Sequence, residues 1–117
     1  MDLDLAKTRG LDVVYRSFDA ILFPANRGAG IAARAGYPSI VVPGGFVTNR
    51  PELTIPPGPP FPDGFDPKDA PYGVTFSGPA FSEPKLLGYA YAFEQATRHR
   101  VPPDSTPPLS SDTVRRD

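Results

Sequence analysis

The sequence predicts an α/β fold, and three features of the chain carry this prediction. Two uninterrupted apolar runs, "AILFP" at residues 20–24 and "SIVVPGG" at residues 39–45, are typical of strands buried on both faces of a sheet. A short alanine-rich segment suited to a helix separates them. A longer segment, residues 83–98, repeats apolar residues at helical spacing. Strands and helices therefore alternate along the chain.

The N-terminal half predicts two helices and two strands. Residues 2–17 are expected to form a helix, although Gly10 interrupts the apolar pattern. Residues 31–35 suit a short helix, and Gly36 suits its C-terminal cap. The two apolar runs lie about as far apart as the dozen or more residues that a parallel crossover needs. Residues 20–42 therefore predict a βαβ unit with parallel strands.

Proline sets the character of residues 47–71. The chain contains 17 prolines, and proline neither donates a hydrogen bond to a sheet nor continues a helix. We expect a long loop over residues 47–71, with polyproline-type pieces at residues 56–62. A loop of this length in a compact domain is functional or disordered in most cases.

The C-terminal half predicts one strand and one helix. "YGVTFSG", residues 72–78, alternates as a strand does. Ser82 is a good N-cap for a helix over residues 83–98. One stripe of that helix is expected to face the core, and it consists of Leu86, Ala90, Phe93 and Thr97. Leu87 and Tyr91 lie beside this stripe. Residues 102–117 carry too little apolar surface to fold and predict a disordered tail.

The chain is small for a parallel sheet covered on both faces. Without the loop and the tail, roughly 75 residues remain, and a single core of that size rarely supplies more than ~3–5 kcal/mol. Residues 1–101 therefore predict part of a larger α/β sheet. Exposed apolar faces of such a part would favour aggregation of the isolated chain.

Composition excludes several classes of function. The formal net charge is −1, which gives no broad surface for nucleic acid or for an anionic membrane. The absence of cysteine excludes disulfides and thiolate chemistry. No apolar run approaches the ~18 residues of a membrane span, and the N-terminus lacks the apolar region of a secretory signal. We expect a cytoplasmic protein with neither nucleic acid nor membrane as a partner.

Sequence motifs for catalysis and for cofactors are weak. His99 is the single histidine, and a solvated position at the end of a helix explains it better than a Ser–His–Asp site. A metal cluster is not expected. "GAGIAARAG" only loosely resembles a dinucleotide fingerprint and lacks its glycine spacing. No cofactor is therefore predicted.

Four residues lie at or just beyond the carboxyl ends of the predicted strands and are candidates for substrate binding: Asn26, Arg27, Gly44 and Phe46. Ligand sites in open α/β sheets gather beyond the carboxyl ends of strands. A helix cap with a solvated arginine would equally explain Asn26 and Arg27. Strand termination and close backbone packing would equally explain Gly44 and Gly45.

Two long segments resemble the C-terminal region of amidase-signature enzymes. These are "DAILFPANRGAGIAARAGYPSIVVPGGF", residues 19–46, and "PYGVTFSGPAFSEPKLLGYAYAFEQATRHRVPP", residues 71–103. The family pattern runs "lD-ail-P", then "GyP-v-vP-G", then "P-G-v-f-G-p-fsE-LL-ayafEqat". The likeness covers roughly residues 18–104 in order, with the proline-rich loop included. Each motif is weak alone, and together they are fairly specific.

This resemblance implies the C-terminal part of an α/β/α sandwich around a mixed sheet. It also implies a hydrolase that cleaves carboxylic amides through a serine nucleophile, a second serine and a lysine, with an acyl-enzyme intermediate. Those groups belong to a Gly/Ser-rich segment upstream of the matched region. Lys7, Lys68 and Lys85 are the lysines of this chain, and none matches the catalytic one. No catalytic residue is carried over.

Two functions are consistent with these features. The chain is expected to be the C-terminal segment of an amidase, inactive alone and completed by an N-terminal catalytic portion on the same or another polypeptide. Its strand ends would then form part of the wall of a pocket for a small-molecule amide, through Gly44 and Phe46, and the loop would shape access. The alternative is a non-catalytic binding or interaction module on an amidase-derived scaffold.

Overall fold

The computed structural model describes residues 3–102, which form a mixed α/β structure with a three-stranded sheet. Its strands are β1 (Ile21–Pro24), β2 (Ser39–Val47) and β3 (Ala70–Ser77). Its α-helices are α1 (Leu3–Ala6), α2 (Asp12–Val14), α3 (Ala29–Ala35) and α4 (Glu83–Thr97). The predicted α/β class is confirmed. The predicted disordered tail, residues 102–117, lies outside the described residues apart from Pro102.

The sheet has the order β1–β3–β2, and β3 is antiparallel to both neighbours. Ile21 and Ser39 both pair with Ser77, one from each side. β1 and β2 therefore point the same way, as the predicted βαβ unit requires, but they do not pair with each other. The expected parallel pairing is wrong because β3 inserts between them and pairs with β2 from Ser39 to Val47.

A π-helical turn, Lys7–Leu11, joins α1 to α2 in the N-terminal helical segment. The segment ends at Val14 rather than at the predicted residue 17. A Cβ atom on Gly10 would lie 2.5 Å from the Leu5 carbonyl oxygen, so only glycine fits this wide turn. The extra residue in the turn lets Ala6 and Leu11, five positions apart, both be buried.

Helix α4 packs on one face of β2 and β3 and forms the apolar core. Ser82 occupies the N-cap position, but its hydroxyl makes no capping hydrogen bond. Arg98 closes the helix in the left-handed conformation, with φ of 50°. The predicted core stripe is confirmed at Leu86 and Ala90, which are buried, and Phe93 is partly buried. The other members of the buried cluster are Val42 and Phe76. Leu87 and Tyr91 are exposed.

Polar side chains dominate the other face of β3. Ser77 is fully buried; its hydroxyl donates to the Pro38 carbonyl and accepts from Tyr15, at 3.2 and 3.1 Å. The Thr75 hydroxyl donates to the Ala25 carbonyl. These bonds tether three segments to the central strand: the segment before β1 at Tyr15, the residue after β1, Ala25, and the residue before β2, Pro38. All of these buried hydroxyls are thereby satisfied, as buried polar groups must be.

Within the described residues, β1 and β2 are not buried on both faces, contrary to the expectation from the sequence. Leu22 of β1 is exposed on the face that α4 covers, and Val41 of β2 is exposed on the opposite face. The cause is the position of α4, which contacts β2 and β3 and leaves β1 open.

Among the helices of residues 3–102, none has both the length and the hydropathy needed to cross a bilayer.

Candidate functional site

The four predicted substrate-binding residues lie at one end of the sheet. β1 and β2 both finish at this end, where β3 begins. The Ala25 amide donates to the Gly73 carbonyl at 2.7 Å, and Gly73 also pairs with Pro43 of β2. Asn26 and Arg27 therefore leave the sheet on one side of β3, while Gly44 and Phe46 lie on the other side.

A groove of about 370 Å³ opens on the β2 side of this sheet end. Its walls come from β2, from the start of β3 and from the chain that follows α4. It is lined by Val41, Val42, Pro43, Gly45, Phe46, Pro71, Tyr72, Gly73, His99, Arg100 and Val101. Of the four predicted residues, the groove therefore includes Phe46. Asn26 and Arg27 are exposed outside it.

The two glycines of "VPGGF", Gly44 and Gly45, are required for different structural reasons. A Cβ atom on Gly44 would lie 2.9 Å from Cγ2 of Val74 and 3.1 Å from Cδ1 of Tyr72, so Gly44 permits close packing against β3. Gly45 has φ of 112° at a β-bulge, which side chains other than glycine rarely adopt. The bulge lets the strand continue to Val47, beyond its predicted end at residue 45.

Three polar side chains of the groove, those of Tyr72, His99 and Arg100, were not expected there from the sequence. The His99 ring is exposed at the end of a helix, as expected, but its Nδ1 also lies 3.7 Å from the position of a Cβ on Gly45. The left-handed Arg98 turns the chain back over β2 and places His99 and Arg100 on the groove. A backbone reversal of this kind has no reliable mark in the sequence, since Arg98 is not glycine.

The chemistry of the groove combines apolar walls with hydrogen-bond donors. Phe46, Val41 and Val101 supply apolar surface, while the Tyr72 hydroxyl, the imidazole and the guanidinium can donate to oxygen atoms. Such a set suits a small molecule that has both an apolar body and a carbonyl or carboxylate oxygen. Within residues 3–102, no group of three His, Asp or Glu side chains could hold a metal ion.

Comparison with known proteins finds two relatives over most of the chain. An 85-residue match, 73% of this chain, is 55% identical to a protein from Arabidopsis thaliana named as a probable amidase. A match over 89 residues, 70% of this chain, is 37% identical to a protein from Arthroderma benhamiae that is likewise named as an amidase. Each match covers 13% of the relative's length.

No family model matches the chain. No solved structure matches it either. The two sequence matches nevertheless agree with each other in the share of the chain that they cover and in the naming of both relatives. This chain therefore belongs to an amidase-related family and corresponds to a short segment of its much longer members.

Proposed function

We propose that this chain is the C-terminal segment of an amidase-signature serine hydrolase, an enzyme that cleaves carboxylic amide bonds. The observation that carries the proposal is the 55% identity to a protein named as an amidase, confined to 13% of that protein's length. In this proposal the catalytic serines and lysine belong to a preceding portion of the enzyme. The chain alone is then inactive.

The uncovered parts of the sheet support a larger fold. Val41 is 62% exposed although it lies in a β-branched, apolar strand. Leu22 is also exposed, on the opposite face and on the other outer strand. A sheet that continues beyond both β1 and β2, with further helices on both faces, would bury these side chains. Such a continuation gives the α/β/α sandwich with a mixed sheet that the family resemblance implies.

The groove supports a role at the edge of a substrate pocket. Phe46 and Gly45 would form a wall, with Gly44 beside them in β2, and Tyr72 and His99 would donate to a carbonyl oxygen of the amide. Asn26 and Arg27 lie at the same end of the sheet, across β3, where they would line the far side of a wider pocket. In the intact enzyme the ligand would be a small-molecule amide.

One feature favours the alternative function, a non-catalytic binding module on an amidase-derived scaffold. The apolar core around Leu86 is formed by this chain's own residues. On the other face of β3, the buried hydroxyls of Thr75 and Ser77 donate to carbonyl groups of the same chain. A chain that completes its own core can fold and bind without a catalytic portion.

The test is to determine the size and the activity of the native polypeptide in its source cells. An antibody against residues 83–97 reports the mass, and gel filtration reports whether a chain of 12.6 kDa elutes free or in a complex. We expect a species several times larger, and we expect the purified species to hydrolyse simple amides such as acetamide and benzamide. The isolated 117-residue chain is the control and should not. A free 12.6 kDa monomer without a larger form would contradict the proposal and favour the binding module.

A further inference from the structure

The turn between β3 and α4 contains an aromatic residue that is exposed and has a backbone conformation unusual for its type. Phe81 is 92% exposed and has φ of 64°. It is the third residue of a four-residue turn, which the Ser82 amide closes by donating to the Pro79 carbonyl at 3.2 Å. A positive φ at the third position of such a turn is typical of glycine or asparagine. Phenylalanine therefore occupies a position that its backbone disfavours.

Among the described residues, the Phe81 ring makes little contact that could offset this conformation. A side chain that is almost fully exposed contributes little packing, and strained backbone conformations persist only where the surrounding structure fixes them. An exposed aromatic ring also adds an unfavourable contact with water. Both facts are explained if the ring enters an apolar pocket on another part of the protein.

A second exposed aromatic ring lies at the same end of the sheet. Phe18 precedes β1 and is 63% exposed. Because Ile21 pairs with Ser77, the residues before β1 and those after β3 leave the sheet at this end. Between the two segments, the Lys85 amine and the Asp19 carboxylate form an ion pair at 2.7 Å. The four residues Phe18, Asp19, Phe81 and Lys85 are called the aromatic corner below.

We propose that the aromatic corner is a docking surface for the preceding catalytic portion of the amidase, with Phe81 as its central anchor. This inference rests on the proposed function. The matched segment is 13% of each relative, so the bulk of the polypeptide lies outside it and must contact this segment somewhere. Aromatic anchors inserted into pockets carry a large share of the energy of protein interfaces. The corner lies at the opposite end of the sheet from the groove, so docking there leaves the groove open to substrate.

The experiment uses a full-length chimera, in which the counterpart from this chain replaces the matched segment of the Arabidopsis relative. Phe81→Asn is introduced because asparagine accepts the left-handed backbone but cannot anchor in an apolar pocket. Leu53→Asn is the matched control, since Leu53 is also highly exposed and lies in the proline-rich loop, away from the corner. The same two substitutions are made in the isolated 117-residue chain.

We expect Phe81→Asn to lower the thermal midpoint of the chimera by about 3 °C or more, given the typical size of shifts in large domains, and to lower its amidase activity. In the isolated chain, Phe81→Asn should leave the midpoint unchanged or raise it, because it relieves backbone strain. Leu53→Asn should leave the thermal midpoints of both proteins unchanged. A drop in the chimera alone is the signature of an anchor.

Three results would overturn the inference. An active chimera whose midpoint does not respond to Phe81→Asn leaves the proposed function standing and removes the anchor. A parent chimera that neither folds nor hydrolyses amides removes the proposed function and the anchor together. Sedimentation that finds the isolated chain as a dimer, converted to monomer by Phe81→Asn, assigns the corner to a second copy of this chain instead.

Discussion

The two faces of β3 are held in different ways. On one face, Phe76 packs against Leu86 and Ala90 of α4 in an apolar cluster. On the other face, Thr75 and Ser77 hold neighbouring segments through hydroxyl groups. Because side chains alternate along β3, apolar packing stabilises one face of the sheet and side-chain hydrogen bonds stabilise the other. Apolar contacts tolerate small shifts, whereas hydrogen bonds require a narrow range of distances and angles.

A comparison within the α4 face shows what sets burial in this sheet. Phe76 and Leu22 are register partners on the same face, yet Phe76 is 8% exposed and Leu22 is 57% exposed. Both are large apolar side chains, so hydropathy does not separate them. The difference is that α4 crosses β2 and β3 and stops short of β1. Burial here follows from the position of one helix.

The largest effect is expected for Leu86→Ala, which removes the most buried side chain of the apolar face. Leu86 is 2% exposed, and loss of a fully buried leucine typically costs about 3 kcal/mol because a cavity remains. The free energy of unfolding, measured by denaturant titration, should fall by that amount. The neighbour Leu87, at 59% exposure, is the control, and Leu87→Ala should change the value by less than about 0.5 kcal/mol. Equal losses would refute the packing described for α4.

An intermediate effect is expected from two adjacent valines that point to opposite faces. Val42 belongs to the buried cluster, while Val41 is exposed. Val42→Thr buries a hydroxyl without a partner and should cost about 1–2 kcal/mol. Val41→Thr should cost less than about 0.5 kcal/mol. Denaturant titration of both variants compares the two faces at constant side-chain shape. If Val41→Thr were the costlier change, the register of β2 would be wrong.

The smallest effect is expected for Tyr37→Phe, and it should depend on pH. The Tyr37 hydroxyl donates to the Asp12 carboxylate, and this hydrogen bond raises the pKa of Tyr37 to about 12, with burial and the charge of Asp12 adding to it. A raised pKa means that folding favours the neutral phenol. The stabilisation is therefore complete below pH 10 and is lost as the pH rises towards 12. Tyr37→Phe should cost about 1 kcal/mol at pH 7.

Thermal unfolding of the wild type and of Tyr37→Phe between pH 8 and 12 measures this dependence. The wild type should lose more of its stability than the variant above pH 10. Burial also raises the pKa of Tyr15. The Tyr37→Phe variant should therefore still lose some stability as the pH rises above 10. Parallel curves for the two proteins would show that the Tyr37–Asp12 bond does not contribute to folding.

Local signals in the sequence predicted the elements better than their arrangement. Gly36 caps α3 in the left-handed conformation, with φ of 72°, and the stripe on α4 faces the core, because both signals depend on neighbouring residues. The order of the strands depends on the pairing of β3 with β1, as between Ile21 and Ser77, which lie far apart in the chain, and no local pattern encodes such a pairing. Of the residues that line the groove, the sequence analysis named Phe46 as a candidate but not His99 or Arg100, because a left-handed arginine brings the latter two to it. The roles of Asn26, Arg27, Gly44 and Phe46 in binding stay predictions.

The π turn at Gly10 bears on how the N-terminal helical segment can tolerate a change in its length. A helix with one extra residue in a single turn is equivalent to a regular helix that has accepted a one-residue insertion. The insertion is contained within Lys7–Leu11, so the residues on either side keep the faces that they present to their neighbours. Deletion of one residue from this turn should therefore leave a regular helix in which Ala6 and Leu11 stay on the same buried face.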